Sequence, residues 1–471
     1  MMMLLPVVVA LVLLSSCVIG GNTSSYYYKH WCGSGLQYLD DKYCMKLFPS
    51  NSHSQSQREW KCPIPSIDST PAGFQPEVDF NEINVDTSTL SGIISTPQSI
   101  LQQPNLAADL NLCMVITKRV ASKSQLDSDS NTNSPSVVNK YLCYGEHSKV
   151  EPYETWSSSK IYALANAAGK LHSIGNETQC SNSHWKYGID SSATTTATTT
   201  TTTTSMNTNT NTNTVPLGDL ATIICSYDHT QNYSSNSLAS YFHDIGWRQR
   251  IHDEVIHQWL LGGGSGGGSS LSLGGNYGEA SPSSLTFQLQ QKQEYCVVDP
   301  DPNLVIYSNT LTALASVELT RRLVLHRDLP LAMQYPSVEW NDIKQILYGS
   351  GKESLLFNEQ LWGGMTADTA IFLQTALQNA NVLNDGYKNK NDDQWRIFSK
   401  LGAGWSTSRN RGEIITSGYA CINNDGSGSG IEVTIHARGS VDNDTALLQA
   451  QKVVKHAVDQ AIAFAKKEFV K

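Results

Sequence analysis

The stretch "YETWSSSKIYALANAAGKLHSIG", residues 153–175, decides how the rest of the chain is read. Three serines stand before Lys160. Ile161, Leu164, Ala165, Ala168 and Leu171 then recur at helical spacing, and Gly175 offers a C-terminal stop. Upstream lie two apolar, β-branched segments, "LNLCMVITKR" (110–119) and "VVNKYLCYGE" (137–146), with a polar stretch between them. They predict a hairpin with a long connection, followed by the helix.

Downstream, "SSATTTATTTTTTTSMNTNTNTNT" (191–214) has nothing to bury and is expected to be a disordered surface insertion. A second tract, "GGGSGGGSSLSLGGNYG" (262–278), reads as a flexible Gly/Ser insertion. The segments between them are helical in texture, and in "WRQRIHDEVIHQWLL" residues Ile251, Val255 and Trp259 mark one face. "TLTALASVELTRRLVLHRDLP" (310–330) predicts an amphipathic helix ended by its proline. "QWRIFSKLGAGWSTS", "GEIITSGYACI" and "GIEVTIHARGS" then alternate as three strands, and an amphipathic helix closes the chain. This order predicts one α/β domain over residues 106–471 whose sheet is built from both chain ends.

Residues 1–21 carry an apolar run ending in small residues, the pattern of a secretory signal peptide. "LSSC" at 14–17 also fits a lipoprotein box, with Cys17 as the lipidated residue in that lesser reading. No other stretch is long and apolar enough to span a bilayer, so an exported, soluble monomer is expected. Residues 22–105, rich in Ser, Tyr, Pro and Asn and holding Cys32, Cys44 and Cys62, read as a loop-rich extension. Cleavage after Cys17 leaves nine cysteines, an odd number, so at least one is a free thiol or pairs between molecules. A net charge of -9 provides no footprint for nucleic acid.

Two short motifs fail on inspection. "HRDL" at 326–329 lacks the asparagine and glycine-rich loop of a kinase. "HDEVIH" at 252–257 resembles a zinc-protease helix, but His252 and His257 are five apart, not four. On an α-helix they do not share a face, so no metal is expected there.

Ser157 and Lys160 are different. At a helix start they lie one turn apart on one face, and a buried lysine amine can take a serine proton. A lone Ser-x-x-Lys arises easily; "SHWK" at 183–186 is another. Two further elements add weight. "YSSN" (233–236) gives Ser234 and Asn236 at a loop-to-helix step, and "KLGAG" (400–404) puts Lys400 and Gly402 on the first of the three terminal strands.

In this order the motifs resemble the S-x-x-K, S-D-N and K-T-G marks of serine β-lactamases and penicillin-binding proteins, class A β-lactamases above all. The resemblance covers about 110–471 and implies that fold, with helices on both faces of an antiparallel sheet and an all-helical subdomain. It implies amide hydrolysis through an acyl-serine, on a β-lactam or peptide-like substrate, with neither cofactor nor metal. Ser157 would attack and Lys160 would serve as base. Ser234 would pass a proton to the leaving nitrogen, Asn236 would hold Lys160 and the acyl amide, and Lys400 would face the substrate carboxylate. Backbone N–H groups of Ser157 and Ala403 would form the oxyanion hole, with Gly402, Arg409 and Arg411 on the substrate side.

Three departures bear on turnover. Leu401 stands where K-[ST]-G has a hydroxyl, and Ser235 replaces the middle aspartate of S-D-N. The family's omega-loop Glu-x-x-Asn is absent between 262 and 310, leaving Glu279 and Glu294 as candidates without that context. A penicillin-binding peptidase, or a degenerate binding protein of the same fold, therefore stays open beside the lactamase reading.

Overall fold

The computed structural model describes residues 83–120, 136–178, 187–189, 216–226, 234–260, 271–281, 287–291, 294–297, 305–351, 354, 363–368, 372–382, 395–406, 410–423, 430–442 and 446–470. The signal-like N-terminus, the Thr-rich tract at 191–214 and Arg409 lie outside these residues.

The main sheet has six strands. They are β1 (Val85–Asp86), β2 (Ala108–Val120), β3 (Ser136–Cys143), β9 (Trp395–Ser406), β10 (Arg411–Asn423) and β11 (Gly430–Val441). Between them in sequence come β4 (Tyr153–Glu154) paired with β8 (Thr310–Leu311), and a ribbon of β5 (Tyr187–Ile189), β6 (Phe287–Gln291) and β7 (Glu294–Val297). The main order is β1-β3-β2-β11-β10-β9, so strands from both ends of the domain meet at β2 and β11, as the sequence pattern predicts. Every pairing is antiparallel except β1 with β3, a two-residue parallel addition that the sequence does not signal.

Helices cover both faces. In chain order they are α1 (Pro97–Leu101), α2 (Gly145–Val150), α3 (Lys160–Thr178), α4 (Leu217–Ser226), α5 (Ser235–Ile245), α6 (Ala313–Val324), α7 (Trp340–Tyr348), α8 (Phe372–Asn379) and α9 (Ala446–Val470). On α9, Ala450, Val453, Val454, Ala457, Val458, Ala461, Ile462 and Ala465 form one apolar stripe. It packs on alternate strand residues such as Leu401, Ile414, Val433 and Ile435. The opposite residues, such as Phe398 and Tyr419, belong to a second core shared by α3, α4, α5 and α7. In that core α3 is surrounded: every residue from Ser158 to His172 is buried. Small side chains permit this. A Cβ on Gly169 would lie 2.4 Å from the Pro336 carbonyl oxygen.

Four expectations change. Residues 83–101, assigned by sequence to the extension, pack on the domain: Leu90 and Ile94 join the α9 core, and Ser95 N donates to Gln460 Oε1 at 2.9 Å. The helix α3 runs past Gly175 to Thr178. Residues 271–278, expected to be a flexible tract, are packed, with Leu271 and Leu273 buried in the helical core and Ser272 bridged to Thr310. Finally, Ile251–Leu260 is a π-helix. Its i→i+5 bonding puts residues five apart on one face, so His252 and His257 do share one, with their Nε2 atoms 2.9 Å apart.

Cys113 and Cys143 face each other in the β2–β3 register and form a disulfide, while Cys225 on α4 is a buried free thiol. Among the described residues no helix is long and apolar enough to cross a membrane.

Candidate active site

Ser157 lies in a 3-10 turn, Trp156–Ser159, that feeds directly into α3. The sequence placed it in the first α-turn; the tighter turn has a clear consequence. With three residues per turn, side chains at i and i+3 eclipse, so Ser157 and Lys160 share an edge. The Lys160 N–H donates to the Ser157 carbonyl, closing that turn. Of the three serines, Ser158 and Ser159 are buried and engaged. Ser158 Oγ donates to Thr155 O at 2.6 Å, and Ser159 Oγ accepts from Thr155 Oγ1 at 2.9 Å and pairs with Tyr277 OH at 3.1 Å. Ser157 is half-buried and remains partly open.

The turn is held under strain. Trp156 has φ 46°, a left-handed conformation that costs a bulky residue about 1–3 kcal/mol. Its indole Nε1 donates to Glu413 Oε2 at 2.5 Å, which fixes the ring. Strand β9 presses on the turn through its glycines. A Cβ on Gly402 would sit 2.9 Å from Ser158 N and 3.0 Å from Thr155 O, and one on Gly404 would sit 2.3 Å from the Trp156 ring. β9 is also the edge strand of the sheet, bonded only to β10 within it. Leu401 points the other way, into the α9 core, so this position carries no side chain toward the turn.

Lys160 is fully buried. Its Nζ donates to Ser235 Oγ at 3.0 Å and to Asn236 Oδ1, and lies 5.4 Å from the centroid of the Tyr277 ring. Burial, and next the charge of Lys400, push its pKa well below the usual lysine range, with Glu279 pulling the other way. Lys400 is also fully buried, its Nζ donating to Leu401 O at 2.9 Å. Burial lowers its pKa against the opposing charge of Asp368, a buried carboxylate that accepts from Ser399 Oγ at 2.7 Å.

Ser234 is the N-cap of α5. Its Oγ accepts from Ser237 N at 3.1 Å and donates to Glu279 Oε2. Asn236 Nδ2 donates to Glu279 Oε1 at 3.2 Å, and Ser240 Oγ donates to the Glu279 carbonyl at 2.8 Å. Glu279 is therefore bonded to both ends of the Ser-x-Asn motif. The 271–281 loop that carries it is clamped by Arg248, which donates to Gly274 O and, at 2.7 Å, to Asn276 Oδ1. Gly274, at φ +117°, and Gly275, where a Cβ would lie 2.8 Å from Tyr307 O, let the loop pass this close.

Lys160, Asn236 and Ser234 are joined by hydrogen bonds through Glu279, Ser157 stands on the turn that leads into Lys160, and Lys400 lies on β9, whose Gly402 packs on that turn. Arg411 does not join them: its guanidinium is taken by Asp109, at 2.6 Å, and by Asp442. Glu294 lies on β7, in the separate ribbon. Sequence reasoning named Glu279 as a candidate without its context, and did not foresee the lysine contact of Ser235, the neighbourhood of Asp368 or the position of Tyr277. The loop that carries Tyr277 and Glu279 had a further signal: in "SLSLGGNYGEA", Leu271 and Leu273 alternate inside a tract otherwise read as linker.

No family model matches the chain, and no curated protein matches it. Several solved structures do. The chain is similar to a beta lactamase from Xanthomonas campestris, at 12% identity, covering 79% of this chain and 99% of that one with a TM-score of 0.33. It is similar to a class A beta-lactamase from Mycobacterium abscessus, at 12% identity, 75% and 94% coverage and a TM-score of 0.32. It is also similar to the C-terminal domain of the Bacillus licheniformis BlaR penicillin-receptor, at 9% identity, 82% and 98% coverage and a TM-score of 0.32.

Proposed function

We propose that this protein is an exported serine hydrolase that opens β-lactams or related amides through an acyl-enzyme on Ser157. The observation that carries the reading is the buried Lys160, bonded to Ser235 and Asn236 one turn from the half-buried Ser157, with Glu279 on the far side of the same motif. Burial and the charge of Lys400 both shift Lys160 toward the neutral amine, the form that can accept a proton.

In acylation, Lys160 Nζ takes the Ser157 hydroxyl proton as Oγ bonds to the substrate carbonyl carbon. The backbone N–H groups of Ser157 and Ala403 receive the oxyanion, each such donor being worth about 3 kcal/mol. The C–N bond breaks as Ser234 gives its hydroxyl proton to the leaving nitrogen, and the Lys160 ammonium restores the Ser234 proton. In deacylation, Glu279 takes a proton from the water that attacks the acyl carbonyl and passes it to Ser157 Oγ as the acyl C–O bond breaks. Glu279 supplies the base that the sequence motif of the resembled family lacks in this chain. Lys400 provides positive charge for a substrate carboxylate, without help from Leu401 or Arg411. The signal-like residues 1–21 support export.

Incubation with benzylpenicillin, followed by intact-mass analysis and a hydrolysis assay, tests this reading. Turnover by the wild type that Ser157→Ala abolishes supports it. A lasting wild-type adduct on Ser157 without turnover moves the protein to the penicillin-binding peptidase reading. Neither adduct nor turnover leaves only a binding protein.

A further inference from the structure

We propose that His252, His257 and Asp253 on the π-helix form a binding site for a divalent zinc-type ion, built from none of the residues assigned to the hydrolase site. On an α-helix, residues five apart are turned by about 140° from each other and cannot share an ion. The π-helix Ile251–Leu260 reduces that offset to roughly 50°, and the two imidazoles meet.

The geometry suits two nitrogen ligands. The Nε2 atoms face each other at 2.9 Å, with the rings nearly perpendicular at 82° and their centroids 4.4 Å apart. Two Zn–N bonds of about 2.0–2.1 Å at a tetrahedral angle set the nitrogens about 3.3 Å apart. A small rotation of the exposed His257 ring provides the difference. His252 is held by Tyr307, which stacks on it at 4.2 Å and 24°. A carboxylate oxygen of Asp253 lies within 4.8 Å of a ring nitrogen of each histidine, and its side chain is exposed. Glu254 is not a ligand, because Arg250 holds it at 3.2 Å. Two neutral imidazoles and one carboxylate favour zinc and its borderline neighbours over magnesium or calcium, and leave a fourth position to water.

The same nitrogens could instead share one proton in a plain His–His hydrogen bond, and metal binding separates the two cases. The full chain is dialysed against Zn²⁺ and bound metal is counted per chain, beside His257→Ala, Asp253→Asn and a His252→Ala/His257→Ala double variant. The double variant controls for zinc held elsewhere in this cysteine-containing chain. The expected result is one more zinc on the wild type than on the double variant. His257→Ala should weaken that zinc more than about tenfold, since loss of outer-shell partners alone costs 10- to 100-fold. Asp253→Asn should weaken it measurably, and excess Mg²⁺ should not displace it. Because His257 is exposed, its alanine variant is expected to keep the wild-type circular dichroism, so a loss of zinc reads as a lost ligand. Equal zinc on wild type and double variant overturns the site. Unchanged affinity in Asp253→Asn overturns the three-ligand form.

Discussion

Lys160 illustrates how much chemistry one position can carry. The sequence supplied its type and its spacing from Ser157; its charge state depends on burial, which no local pattern displays. Burial and the nearby Lys400 both disfavour the ammonium, so acylation should fail as pH drops through the lowered pKa of Lys160. Removing the positive neighbour raises that pKa again. Lys400→Ala should therefore move the acid limb of the acylation rate toward higher pH, apart from any loss of affinity. A stopped-flow rate–pH profile checks this, and an unmoved limb would contradict the coupling of the two lysines. Glu279 shows the other side of legibility. The sequence names Glu279 as a candidate, but its hydrogen-bond partners Ser234 and Asn236 lie more than forty residues away, where no local pattern points to them.

Among the elements, the long strands and α9 were readable because each repeats one rule over ten or more residues, alternation in the strands and a 3.6-residue stripe in the helix. The π-helix was not. Ile251, Val255 and Trp259 are four apart, a spacing that lies between the α and π periods and fits either. The 271–281 loop was hidden by its glycines, which read as flexibility but serve close approach to Tyr307 and Arg248. In α6 the surprise is charge. Glu318 is fully buried and bonded by Arg321 at 2.8 Å and Arg322 at 2.8 Å. Burial pushes its pKa up, but the two guanidiniums together outweigh it and hold the carboxyl at about 2. Tyr141 OH adds a bond at 3.1 Å, tying the helix to β3. Glu318→Ala strands two buried guanidiniums and should cost about 3–5 kcal/mol of unfolding free energy, measured by urea denaturation. A loss under about 1 kcal/mol would show that this triad does not hold α6 to the sheet.

At the scale of the whole molecule, the order of strand and helix signals was enough to foresee a sheet closed by both ends of the domain. It did not show that residues 83–101 belong to that domain, because short segments such as β1 and α1 carry too few residues for a period to emerge. Stability should depend on pH through buried histidines. His243 and His436 are wholly buried, and burial, followed by the charges of Arg248 and Arg438, lowers each from 6.5 to about 3. The fold keeps them neutral while the unfolded chain takes up protons below pH 6.5. Stability is thus intact above that pH and is lost as pH falls toward 3. At pH 5 the loss is about 2 kcal/mol per histidine. Urea denaturation at pH 7 and 5 should show a difference about 4 kcal/mol smaller in a His243→Gln/His436→Gln variant. An equal difference in both proteins would place the acid sensitivity elsewhere.

The central claim is that Glu279 completes a site whose nucleophile is Ser157. Intact mass after benzylpenicillin treatment of Glu279→Gln tests it most directly. The expected result is a stable penicilloyl adduct mapped to Ser157 in the variant, while the wild type turns the drug over and carries little. No adduct in Glu279→Gln, or an adduct on any residue but Ser157, would contradict it.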